Sequence, residues 1–121
     1  MERRSFFRKE VDIPAELILS SGTRLEVRVR DVSGGGVQIQ CDAFDSEAIA
    51  PHGNCLNSSG RPIKLDLQFA PTGKELKLHC RVIFVRRISH DEFRIGLRYD
   101  NGLQPDLVEL EQLIRNGLGR D

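Results

Sequence analysis

The chain lacks a surplus of either charge, a long apolar run, and any cysteine spacing suited to a metal. Lysine plus arginine and aspartate plus glutamate each number 18, so the formal net charge is zero. Proteins that coat a duplex without reading it carry a basic excess, so this class is excluded in its usual form and no DNA partner is expected. No apolar run approaches the length of a membrane span. The N-terminus is basic, but the apolar stretch of a signal peptide does not follow it. The expectation is a soluble, cytoplasmic chain with no membrane span. Cys41, Cys55 and Cys80 are odd in number and widely spaced, which gives neither a disulfide framework nor a CxxC pair. They read as two core thiols and one loop thiol. His52, His79 and His90 lack metal spacing, and adjacent strand residues such as His79 and Cys80 point to opposite faces. Ser33 lies in D-x-S-x-G rather than in the G-x-S-x-G nucleophile elbow. No enzyme and no metal site are expected.

What is present fits one domain: 121 residues, 39% of them hydrophobic. Apolar residues recur at period two, the mark of half-buried strands. Leu25, Val27 and Val29 alternate with Glu26, Arg28 and Arg30. Val37, Ile39 and Cys41 alternate with glutamines, and Ile63, Leu65, Leu67 and Phe69 with polar residues. Leu76, Leu78, Cys80, Val82 and Phe84 form a longer inward-facing set, followed by Phe93, Ile95, Leu97 and Tyr99. Residues 11–19 give a further strand, in which Pro14 marks an edge or a bulge. Glycine and serine turn signals separate the runs. The pattern predicts an all-β fold with a C-terminal helix, a small antiparallel barrel of five or six strands. Leu107, Leu110, Leu113, Ile114 and Leu118 change to a helical period, predicting a helix at about 105–118 whose stripe covers a barrel opening. Residues 42–60 read as a long loop with a helical turn at 45–50.

Two stretches carry chemistry. "RRSFFR", beginning at Arg3, puts three arginines and two phenylalanines ahead of the first strand run. "RDVSGGG", residues 30–36, stands where one strand gives way to the next. Arginine makes bidentate contacts to phosphate and to the O6/N7 edge of guanine. A carboxylate such as Asp31 fits the opposite guanine edge, which offers two donors. Three glycines let backbone approach a flat or anionic ligand, and their amides can form an anion nest. The alternative is an ordinary turn in which Asp31 and Ser33 bond their own backbone. Arg86-Arg87 reads either as a solvated face or as a further ligand contact, and Arg94 and Arg98 as solvent-facing.

Arg4-Ser5-Phe6-Phe7-Arg8 resembles the RxxxR motif of PilZ domains, and Asp31-Val32-Ser33-Gly34-Gly35-Gly36 their D/N-x-S-x-x-G motif. "RVIFVRR", "FRIGLRYDN" and the terminal helix extend the likeness over nearly the whole chain. The resemblance implies a six-stranded antiparallel barrel that binds the bacterial second messenger cyclic di-GMP, with no cofactor beyond that ligand. By this likeness Arg4 and Arg8 grip phosphates and guanine, and Asp31, Ser33 and Gly36 form the floor for a guanine. Gly35 and Arg86 are candidates for further contacts. Residues 1–10 are expected to be a flexible arm that closes over the ligand, and residues 11–121 the barrel with its helix. In the family, an arginine at the position of Arg3 tends to accompany two mutually intercalated cyclic di-GMP molecules. A receptor or adaptor signalling to an unidentified protein partner is therefore expected. The alternatives are a PilZ-like interaction module without ligand and a nucleic-acid-binding barrel. Six phenylalanines and one tyrosine argue against the stacking platform that the last would need.

Overall fold

The computed structural model describes residues 8–118. Six strands, β1 (Arg8–Leu19), β2 (Arg24–Ser33), β3 (Gly36–Cys41), β4 (Lys64–Phe69), β5 (Leu76–Ser89) and β6 (Glu92–Tyr99), close into an antiparallel barrel in the order β1-β2-β3-β6-β5-β4. Closure removes the exposed sheet edge that an open sheet must protect. The alternating apolar residues of each strand fill the interior. Leu17, Val29, Ile39, Leu67, Leu78, Ile95 and Leu97 are all essentially solvent-free. Cys41 and Cys80 are buried with them and Cys55 is half-buried, all three as free thiols. Burial pushes the Cys41 and Cys80 thiols up to about 12, because a thiolate would lose its water there.

Strict alternation breaks at β-bulges, where one strand carries an extra residue and the following side chains change face. β1 shifts register between Glu10 and Ile13, β2 between Val29 and Asp31, and β5 between Val82 and Phe84. The inward sequence in β5 is therefore Leu78, Cys80, Val82 and then Val85, which packs against the core. Phe84, expected inside, is on the outer surface. Pro14 stands one residue ahead of the stretch where β4 joins β1, at Ala15 opposite Phe69. Its missing donor thus lies outside the doubly paired part of the strand. Residues 8–10, expected to be arm, belong to β1, with Arg8, Lys9 and Glu10 opposite Ser33, Val32 and Asp31. Arg3, Arg4 and the two arm phenylalanines lie outside the described residues.

The segment between β3 and β4 is more ordered than its aperiodic sequence suggests. Helix α1 (Ala43–Ile49) is capped by the Asp42 carboxylate, which accepts from the Asp45 amide at 2.8 Å. Ile49 and Ala50 then enter the core, and a single 3-10 turn follows at Pro51–Gly53. Helix α2 (Pro105–Arg115) buries Leu110 and Ile114. It touches β5 and β2, strands that are not neighbours in the ring, so it lies across an opening of the barrel. Gly117 ends it with φ 100°, and the Gly117 and Leu118 amides return to Ile114 and Leu113 at 3.2 and 2.9 Å. This is the paired closure that a left-handed residue allows. Gln104, just ahead of α2, is buried. Its carboxamide accepts from the His79 amide at 2.9 Å and donates to the His79 carbonyl at 3.1 Å, as a neighbouring strand would.

Candidate functional site

The bulges do more than bend strands. Val27 and Val29 face inward, so unbroken alternation would send Asp31 into the apolar interior, at a prohibitive desolvation cost. The β2 bulge adds a residue, Val32 becomes the next inward side chain, and Asp31 is left on the outer face. The β5 bulge does the same for Phe84. Register then sets one row across five strands: Glu10, Asp31, Gln38, Gly96 and Phe84. Gln38 is at its centre, and Gly96, next in the row, has no side chain of its own and lies under the Phe84 ring. An open cavity of about 350 Å³ lies over this row.

Arg8, Asp31, Ser33, Gly35 and Gly36 all line that cavity, and Arg98 forms part of its rim. Arg8 Nη2 donates to Asp31 Oδ2 at 2.9 Å. The Arg8 side chain is 61% exposed and the Asp31 side chain only 16%. The pair therefore has its carboxylate set in the floor and its guanidinium in solvent. The hydrogen bond and the charge of Asp31 raise the Arg8 pKa further above its ordinary value, so the guanidinium stays charged at any working pH. An exposed pair of this kind contributes little to stability, at most about 1 kcal/mol.

The Ser33–Gly36 turn is built differently from the expected anion nest. Gly34, Gly35 and Gly36 are absent from the residues with positive φ, which a nest needs in alternation. The Gly35 and Gly36 amides donate instead to Ser33 Oγ at 3.1 and 3.2 Å, and Ser33 Oγ donates to the Gly36 carbonyl at 3.1 Å. As folded, the hydroxyl's donor and both lone pairs are used inside the turn. Gly36 is also required by packing, since a Cβ there would stand 2.1 Å from the Leu97 carbonyl oxygen of β6. From inside the barrel Tyr99 braces the same turn, its hydroxyl donating to the Ser33 carbonyl at 2.8 Å. Burial pushes the Tyr99 phenol well above its ordinary value, so it remains a donor.

Some contributors are not evident in sequence. Gln38, Ile83, Phe84 and Gly96 line the cavity, and only cross-strand register brings them to it. Arg86 reaches the site through Phe84, its guanidinium 5.7 Å from the ring centroid. Arg94, expected to face solvent, is half-buried, and its Nε and that of Arg30 are buried with no hydrogen-bond partner among the described residues. Arg30 donates through Nη1 to Gln40, which stands opposite Arg94.

A larger cavity, about 690 Å³, lies elsewhere on the barrel. Glu16, Glu26, Asp42, Glu75 and Asp91 line it against the single arginine Arg28, which is itself paired with Asp12. Size favours it, but its charge repels any anion. The smaller cavity, with Arg8 and Arg98 around one carboxylate, attracts phosphate and can read donor groups. Among the described residues no cluster of metal-ligating side chains occurs, and no helix is long and apolar enough to cross a membrane.

A PilZ domain model matches residues 2–116. No curated protein sequence matches significantly. Among solved structures the chain is similar to the PilZ domain of YcgR from Escherichia coli with c-di-GMP. The two share 16% identity at a TM-score of 0.63, over 97% of this chain and 92% of that one. It is similar to Bacillus subtilis inhibitor of motility MotI/DgrA at 16% identity and a TM-score of 0.65, over 96% of this chain and 52% of that one. It is also similar to Borreliella burgdorferi PlzA in complex with c-di-GMP, at 17% identity and a TM-score of 0.62, over 95% and 40%. The chain thus spans about half of MotI/DgrA and less of PlzA. At these identities the likeness is one of fold.

Proposed function

Because the chain belongs to the PilZ domain family, we propose that it is a receptor for cyclic di-GMP, bound on the outer face of the barrel at the Asp31–Phe84 row. The supporting observation is the convergence of Arg8 with Asp31, Ser33, Gly35 and Gly36 on one cavity, although the two motifs are more than 20 residues apart in sequence. Asp31 accepts from the N1–H and N2–H edge of a guanine, and the arginines meet its phosphates. The Arg8–Asp31 pair must open for this, which an exposed guanidinium does at small cost.

Arg3 and Arg4 complete the cationic set in this proposal, and the segment ahead of β1 closes over the ligand. Its ordering is the signal passed to a protein partner. Two stacked cyclic di-GMP molecules bring four phosphates together, and their repulsion calls for a further cation. Arg3 supplies it, and its planar guanidinium also stacks on a guanine face. The stoichiometry is then two per chain, falling toward one in Arg3→Leu.

Calorimetric titration with cyclic di-GMP, beside GTP, linear pGpG and single-stranded DNA, tests the receptor function. Saturable binding of cyclic di-GMP alone is the expected outcome. Equal binding of single-stranded DNA would make the barrel a nucleic-acid module, and silence with all four would leave a ligand-free interaction module.

A further inference from the structure

We propose that Arg86, Arg94 and Arg30 form a docking surface for an acidic segment of a partner protein; the proposal goes beyond the receptor assignment and does not depend on it. Two residues along from Phe84, Gly96 and Gln38 stand Arg86, Arg94 and Gln40, each opposite the next on β5, β6 and β3. Arg30, which the β2 bulge leaves without a partner on β3, reaches the same place and donates to Gln40. Neighbouring strands lie about 5 Å apart, and like charges directly opposite each other destabilise a sheet. Elsewhere the fold pairs its arginines: Arg8, Arg24, Arg28 and Arg81 each reach a carboxylate. Arg30, Arg86 and Arg94 reach none among the described residues. Asp12 feels the charge of Arg30 but is hydrogen-bonded to Arg28.

Burial adds to the cost. Arg30 and Arg94 are half-buried, and the Nε of each is shut from water with no acceptor among the described residues. A buried donor without a partner is destabilising, and native folds leave few of them. A carboxylate supplies what is missing: two acceptor oxygens matched to the guanidinium fork, and a negative charge between positive ones. Rotating each guanidinium outward presents its Nε–H and an Nη–H side by side to that carboxylate. Shape indicates that the carboxylate arrives on a protein. Small-molecule sites are concave, and none of the three arginines lines either of the two cavities described above. The chain is exposed from Arg86 through His90, with Ile88 47% exposed among them. Arginines beside an exposed apolar residue on an open surface suit a protein interface. A nucleic-acid surface would need aromatic platforms and a continuous basic track. This row instead ends at Gln40, which also lines the larger cavity with its five carboxylates. Those carboxylates repel an acidic segment and confine it to the Arg94–Arg86 end.

A hexaglutamate peptide is the probe, titrated into the isotope-labelled protein without cyclic di-GMP, beside hexalysine and oligothymidine. The expected result is saturable amide shift changes centred on Arg30, Gln40, Arg86 and Arg94 with hexaglutamate and none there with hexalysine. Added salt should weaken the binding, and Arg30→Gln with Arg94→Gln should lower the affinity roughly fivefold or more. Arg94→Gln alone should melt no lower than wild type, because it removes a repulsion and an orphaned donor, the stability that a functional surface gives up. Shift changes that are absent or centred on Arg8 and Arg98, or wild-type affinity in the double variant, would overturn the docking surface. Tighter binding of oligothymidine at the same residues would replace the protein partner with a nucleic acid. Self-association of the free protein in sedimentation, lost in Arg94→Gln, would replace it with a second copy of this chain. A lower melting temperature in Arg94→Gln would make the arginine a structural member of the barrel and overturn the proposal.

Discussion

Asp31, Ser33 and Gly36 lie within six residues of one another and carry different burdens. Asp31 holds one exposed guanidinium and takes no part in the hydrogen bonds of the turn. Ser33 and Gly36 hold the turn itself. Gly36 lets β3 approach β6, where a methyl group would meet the Leu97 carbonyl at 2.1 Å. Asp31→Ala should therefore change unfolding free energy by less than about 1 kcal/mol while lowering cyclic di-GMP affinity by about tenfold or more. Gly36→Ala should destabilise the protein by about 1–3 kcal/mol, the usual cost of overpacking, and weaken binding through the distorted turn. Chemical denaturation beside calorimetry separates the two. If Asp31→Ala unfolds the domain and Gly36→Ala does not, then Asp31 is the structural residue and Gly36 is not.

Strands and helices are largely legible because each shows its period over several residues. The runs from Leu25 to Val29, Val37 to Cys41 and Leu76 to Val82 all face the core as their alternation implies. Legibility fails at the bulges. Nothing local in "RVIFVRR" says that one residue is extra, so parity carries Phe84 inward when the strand turns it out. The outward place of Asp31 follows from its chemistry, since a carboxylate has no place in the core, but the bulge that turns it outward leaves no mark in the sequence. At Ser33 the sequence allows both a ligand site and a self-bonded turn. Its hydroxyl bonds its own backbone, and Asp31 does not share that fate. The junction of α2 with β5 also escapes sequence reading, because Gln104 acts through a carboxamide aligned with the backbone of His79. Gln104→Glu keeps an acceptor but loses the donors to the His79 and Asp100 carbonyls. It should cost about 1–3 kcal/mol, visible as a melting temperature several degrees lower. An unchanged melting temperature would mean that α2 is held by its apolar stripe alone.

Across the molecule, zero net charge conceals a sorting of charge. Five acidic residues surround the larger cavity, while Arg8 and Arg98 flank the smaller, so a neutral chain still presents one cavity lined by more cations than carboxylates. The buried thiols add a pH dependence. Cys41 and Cys80 rise from an ordinary 9.0 to about 12 in the fold, so the unfolded chain loses these protons first as pH increases. Their contribution to stability is complete below pH 9.0 and is lost as pH climbs toward about 12. Tyr99 acts in the same direction. Urea midpoints should fall progressively above pH 9.0, and less steeply in Cys80→Ala; an identical slope in that variant would mean that the thiol contributes nothing to the pH dependence. The central claim is that cyclic di-GMP binds at the bulged row and not in the larger, acidic cavity. Backbone amide chemical shifts recorded during a cyclic di-GMP titration test it most directly. The largest changes should fall at Asp31–Gln38, Ile83–Arg86 and Gly96–Arg98. Changes centred instead on Glu16, Glu26 and Glu75, or no changes at saturating ligand, would contradict it.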